Sequence, residues 1–349
     1  MWMRLASALA AALVFAITSP ARASPRITSA HIVSRVGADG VADDTPKRAL
    51  KKEGVTLFAV LEATDGNRRV LFSDAGREIR LGGKTRAARP LAEAPAATLF
   101  WFRVEPAVES MSNTGSGSFR YERIRYAETG VVAALGAGSL RADVRPTLTP
   151  DRGRGVGTMR YKLVAVTERG AFATPGVESR RGKASGGLAD SVHRVSLRRD
   201  DTYLGYLDEL FGQPYIWASA GPNRAAHQSE RLEGADCADF VVYGQRRMGK
   251  DLEYTWTGDL PRVTRLLAGG RAGKGGVYLD ARGRPVPFTR AGDILLFPRH
   301  VGVLSRDRGR RGVLDHEDTM VHAYFATPRE QALGETDYAQ APVEVRRWR

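Results

Sequence analysis

Gly234-Ala235-Asp236-Cys237-Ala238-Asp239-Phe240-Val241 holds the chain's single Cys at the point where a helix is expected to begin. Phe240, Val241, Gly244 and Met248 recur on one helical face, and Gly249 supplies a stop. At a helix N-terminus the free N–H groups and the positive dipole end favour a thiolate, so the expectation is a Cys pKa lowered from about 8.5 toward neutrality or below. A thiolate beside an imidazole is the general arrangement of a covalent Cys nucleophile.

Upstream, Tyr203, Tyr206, Leu207, Leu210 and Phe211 follow a helical period and predict an amphipathic helix ending at Gly212. Downstream, strands are expected at Asp293–Phe297, His300–Leu304, Thr319–Phe325 and Val343–Trp348. Period 2 turns His300 away from Val301 and Val303, and His322 away from Val321 and Ala323. Two neighbouring antiparallel strands can thus present both imidazoles on one face beside the Cys helix. The expected roles are Cys237 as nucleophile, His300 as base and His322 as the partner that orients it. Helices first and an antiparallel sheet after predict an α+β domain.

Residues from about 201 to 349 resemble the NlpC/P60 superfamily of papain-like cysteine peptidases. The resemblance rests on Gly212-Gln213-Pro214-Tyr215-Ile216-Trp217, Asp236-Cys237, Gly292-Asp293-Ile294-Leu295-Leu296-Phe297, His300-Val301-Gly302-Val303 and Val321-His322-Ala323. It implies helices packed on an antiparallel sheet and hydrolysis of a cell-wall peptide without a cofactor. Tyr215, Trp217, Asp236 and Asp239 are the substrate-binding residues it points to. Ala218-Ser219 stands where the family has Gly-Gly, and Ala238-Asp239 where it has Ser-Gly. The nucleophile chemistry therefore carries over better than the substrate. Asp239 is open to two readings, as a group binding a substrate amine or as a cap or partner of a nearby Arg.

The first half reads as β. Val55–Glu62, a turn at Asp65-Gly66-Asn67 and Arg69–Phe72 form an expected hairpin. Further strands are expected at Thr98–Val104, Phe119–Tyr126, Val131–Leu135, Met159–Thr167 and Ala171–Ala173, with Gly- and Pro-rich turns between them. The fold expectation is thus an all-β sandwich-like domain over residues 24–178, a linker over 179–200, and an α+β, papain-like domain over 201–349. Residues 1–23 read as a signal peptide: Arg4 is the basic start, Leu5 to Thr18 the apolar run, and Ala21-Arg22-Ala23 the small-x-small site. That implies a secreted or periplasmic protein with no stable membrane anchor after cleavage near Ala23, since the apolar run falls short of the about 20 residues a span needs.

Composition narrows the function. One Cys excludes an intramolecular disulfide framework and any site built from several Cys. His316, Glu317 and Asp318 are consecutive and cannot converge on a metal, so neither metal nor cofactor is expected. The net charge is +14, but 8 of the 53 basic residues are Lys and 45 are Arg, which points to composition bias. No nucleic-acid module accompanies it, so an anionic envelope polymer is the charged partner considered. The function expected is an exported thiol-dependent amide hydrolase, acting on a peptidoglycan peptide or other envelope peptide. The alternatives are a non-hydrolytic envelope-binding protein and an amidase or acyltransferase with another substrate.

Overall fold

The computed structural model describes residues 25–182, 185–221 and 227–349; the expected signal peptide, together with Lys183 and Ala184 of the expected linker, lies outside them. The run Val55–Asp65 is apolar on both faces because both faces are covered. Phe58 and Val60 point into a closed barrel with Val33, Leu71, Ile79 and Leu81. Leu57, Ala59, Leu61 and Ala63 point the other way, onto Trp101, Tyr161, Leu163 and Val195 of a second sheet. The barrel runs Arg26–Val36, Ala42–Asp43, Glu78–Leu81, Lys84–Arg89, Arg68–Phe72 and Val55–Asp65, and the last strand pairs back onto the first. Closure leaves no free edge among these strands.

The second sheet is ordered Tyr126–Gly130, Thr98–Pro106, Gly157–Thr167, His193–Arg198 and Lys47–Leu50, with Gly170–Ala173 alongside Gly157–Thr167. His193–Arg198 falls in the stretch expected as a linker, yet it pairs with Gly157–Thr167 on one side and Lys47–Leu50 on the other. The strand expected at Val131–Leu135 is a short 3-10 turn over Val132–Ala134. Its backbone bonds back to Trp101 and Leu99, and these contacts override local β preference. The strand expected at Phe119–Tyr126 divides into Ser118–Phe119 and a separate strand starting at Tyr126.

A third, antiparallel sheet runs Tyr278–Leu279, Thr264–Ala272, Val343–Trp348, Ile294–Phe297, His300–Arg306, Thr319–His322 and Arg329–Ala332. Helices α1 (Tyr203–Asp208) and α2 (Cys237–Arg247) lie near it, and α3 is a single turn at Leu260–Val263. Gly244 lets α1 and α2 cross closely: a Cβ there would sit 2.5 Å from the Tyr203 ring.

The expectation of an α+β, papain-like fold, with helices packed on a sheet after a sandwich-like domain, is corrected by this architecture. Among the described residues the protein is mostly β, 42% strand against 9% helical with three helices, and is built from a β-barrel and curled sheets. Two physical causes stand out. The helical period over Tyr203–Phe211 stops being helix after Asp208 because the Phe211 carbonyl accepts from Thr158 N–H at 3.2 Å, docking this segment on the second sheet. The strand Thr264–Ala272 is mostly half-exposed and contains Gly269-Gly270, so it carries neither alternation nor β preference in its sequence.

Candidate functional site

Asp236 begins the site as the cap of α2. Its Oδ1 accepts from the N–H groups of Ala238 at 3.0 Å and Asp239 at 2.8 Å. The chain reaches this cap through Gly234, whose φ of +153° suits Gly and whose Cβ position would lie 2.5 Å from the Pro214 carbonyl. Ser219, in a position where the resembled family has Gly, now has a definite task. Its hydroxyl accepts from Asp236 N–H and donates to Asp239 Oδ2, both at 2.9 Å. Ala218 beside it adopts φ +61°, a left-handed conformation that Gly takes more readily.

Two of the three residues expected to carry the chemistry, His300 and His322, meet directly. His300 and His322 are hydrogen-bonded, Nε2 to Nδ1, at 2.8 Å. His322 continues through Nε2 to Gln331 Oε1 at 3.1 Å. The Tyr338 ring stacks on His300, centroids 4.8 Å apart at 16°, and Tyr324 closes another side at 4.9 Å. His300 Nδ1 is buried and has no hydrogen-bond partner among the described residues. Cys237 packs in the same apolar cluster as Val301, whose backbone N–H favours the thiolate. Among the described residues no hydrogen bond joins Cys237 directly to His300.

The expected lowering of the Cys237 pKa is overturned. Burial, and after it the Asp236 carboxylate, push the thiol up to about 12; the N–H groups of Val301, Ala238 and Cys237 pull the other way and lose. Burial, with Asp239 behind it, raises Asp236 itself well above the usual carboxylate range. His322 falls to about 4 through burial and the neighbouring Arg329 cation, and burial with His322 takes His300 well below its ordinary value. Thiol and imidazoles are therefore neutral near pH 7.

A cleft of about 200 Å³ opens at Cys237, lined by Trp217, Ala218, Asp236, Ala238, Tyr254, Trp256, Thr257 and Arg299. Trp217 is half-exposed on its wall. Tyr215 is buried, with its ring 5.0 Å from Phe325, and is held by parallel pairing of Tyr215–Trp217 with Ser110–Ser112 from the first half of the chain. Asp239 turns inward instead of toward the cleft: it is fully buried, 3.3 Å from His227 Nδ1 and 3.7 Å from Arg246 Nη1. Of its two readings, this geometry favours the internal ion pair.

Sequence reasoning missed several groups. Tyr254, Trp256 and Arg299 line the cleft, while Tyr324, Tyr338 and Gln331 surround the His pair. Arg299 adjoins His300 and Tyr324 lies two residues past His322, so local spacing carried a signal for both. The roles of Tyr338 and Gln331 depend on register and had none. His31, His193 and His227 contact Glu62, Ser34 and Asp239 respectively.

Compared with known proteins, the chain matches no family model, no curated protein and no solved structure.

Proposed function

We propose that this protein is a thiol-dependent amide hydrolase acting on an envelope peptide, with its catalytic residues related to those of NlpC/P60 enzymes. The observation that carries the reading is His300 Nδ1, a buried imidazole nitrogen without a partner, on a ring bonded through its other nitrogen to His322. The cleft lined by Cys237 supports it. Because the thiol and the imidazole are both neutral, the mechanism is general-base attack and needs no preformed ion pair. Cys237 Sγ adds to the amide carbonyl carbon as its proton passes to His300 Nδ1. The oxyanion is held by the Cys237 backbone N–H, since those of Ala238 and Asp239 are bonded to the Asp236 cap. The tetrahedral intermediate then expels the amine, which takes that proton, and leaves a thioester. Water, deprotonated by the same nitrogen, releases the acid and restores the thiol. Trp217, Asp236 and the remaining cleft residues position the substrate, with buried Tyr215 supporting the wall from behind.

One observation favours the alternative of a non-hydrolytic envelope-binding protein. A cleft of about 460 Å³ beside the barrel is lined by Lys51, Arg141, Arg145 and Arg154, with Asp143 as its acid, and suits an anionic polymer. Digestion of peptidoglycan-derived peptides, read by mass spectrometry, separates the two. Wild type should cleave an amide bond, and Cys237→Ala and His300→Ala should each lose at least about a thousandfold in rate. Equal cleavage by Cys237→Ala sinks the mechanism; retention on the polymer with no cleavage by any variant favours binding. Alkylation of Cys237 should accelerate steadily from pH 7 to 10 without a plateau, as expected of a thiol with a raised pKa.

A further inference from the structure

The hydrogen bonds around His322 determine which nitrogen of His300 is free. Gln331 is oriented by two unambiguous neighbours. Arg329 Nε, which can only donate, lies 2.8 Å from Gln331 Oε1. The Glu335 backbone carbonyl, which can only accept, lies 2.8 Å from Gln331 Nε2. The amide therefore presents its oxygen to His322 Nε2 at 3.1 Å, and that nitrogen must carry a hydrogen. A neutral imidazole has one N–H, so His322 Nδ1 is bare. Its 2.8 Å contact with His300 Nε2 requires a hydrogen on Nε2. His300 Nδ1 is left with a lone pair, and it is this ring atom that is buried without a partner.

Both rings are buried to 1% exposure or less, and the groups facing the pair are Arg329, Arg152, Tyr324 and Tyr338. The two cations disfavour an imidazolium, which supports the neutral forms used above. We propose that Gln331 is a positioning residue that sets the tautomer of His300 through His322, keeping Nδ1 available as proton acceptor. Its catalytic consequence rests on the reading of Cys237 as a nucleophile. Without the Gln331 acceptor, the hydrogen between the rings can reverse: His322 Nδ1 donates, His300 Nε2 accepts, and the His300 hydrogen moves to Nδ1, where it blocks the base.

The test is nitrogen NMR of the histidine rings in the full-length protein at pH 7.5, for wild type, Gln331→Met and Gln331→Glu. Wild type and Gln331→Glu, which keeps an acceptor for both His322 and Arg329, should show His300 with hydrogen on Nε2. Gln331→Met should shift population to the Nδ1–H form. In peptide hydrolysis, Gln331→Met should lower kcat about ten- to a hundredfold with KM little changed, and Gln331→Glu should recover most of that. An Nδ1–H His300 in wild type, or an unchanged tautomer in Gln331→Met, overturns the inference. Should Gln331→Met fail to fold, loss of the Nε2–H form in Gln331→Glu overturns it equally. A tautomer that switches in a protein hydrolysing no peptide supports control by Gln331 and counts against the hydrolase reading alone.

Discussion

At the scale of single residues, the site combines a nucleophile position with unfavourable local terms. Cys237 sits where a helix N-terminus pulls its pKa down, but removal from water outweighs that pull. Ala218 holds a left-handed backbone, and Asn113 Nδ2 donates to its carbonyl at 3.1 Å, helping to keep the turn in place. Such a conformation costs an L-residue about 1–2 kcal/mol, partly offset by the entropy Gly loses on folding. Ala218→Gly should therefore stabilise the protein by about 0.5–1 kcal/mol in urea unfolding; a destabilised variant would show that the Ala218 methyl is needed in the cleft wall. Cys237, His300 and His322 were legible as an ordered set because helix-start and strand-period signals are local. Gln331 was not, since its contact with His322 arises from the pairing of Thr319–His322 with Arg329–Ala332.

At the scale of elements, the strand His193–Arg198 shows how pairing overrides sequence signals. Its flanks are polar and Gly-rich, yet the strand is sandwiched in the second sheet, and His193 is buried with Nε2 2.9 Å from Ser34 Oγ. Burial, aided by the Lys47 cation, lowers His193 to about 4, while Asp43 and Asp44 act in the opposite direction. The folded pKa is depressed, so the unfolded chain binds the proton first as pH falls below about 6.5. The stability this neutral His contributes is present above that value and is lost as pH falls toward 4. Compared with His193→Gln, wild type should lose on the order of 3 kcal/mol between pH 7 and 4 in urea unfolding. A difference independent of pH would show that His193 does not carry this linkage. The helix α2 was legible from Cys237 to Gly249 for the opposite reason: its periodic face and its stop lie within the segment.

At the scale of the molecule, the two halves of the chain share backbone pairing and buried charge. Ser110–Ser112 pairs with the strand of Tyr215, and Arg160 from the second sheet donates to Gln213 Oε1 at 3.2 Å and the Leu232 carbonyl at 2.9 Å. Glu209, fully buried after α1, meets Arg198 at 3.3 Å, Arg247 at 3.1 Å, Arg48 at 3.8 Å and the Tyr243 hydroxyl. It links the second sheet to the helix that starts at Cys237. Glu209→Ala leaves several guanidinium groups without their shared anion and should cost about 3 kcal/mol, read as a lower urea midpoint for the whole chain. An unchanged midpoint would mean that water compensates the cations and that this network does not join the halves.

By itself the sequence determined the local features: the Cys helix with its stop, the His strands, and the hairpin at Asp65-Gly66-Asn67. Each depends on residues a few positions apart, through periodicity and turn chemistry. Only the tertiary structure decided that the apolar run Val55–Ala63 closes a barrel, that Tyr203–Asp208 is cut short, and that Gln331 reaches His322. These features depend on contacts between residues distant in sequence, where burial and strand pairing outweigh local preference. The same cause inverted the electrostatics of the site: the dipole at Cys237 is a local property, but its desolvation comes from the elements packed around it.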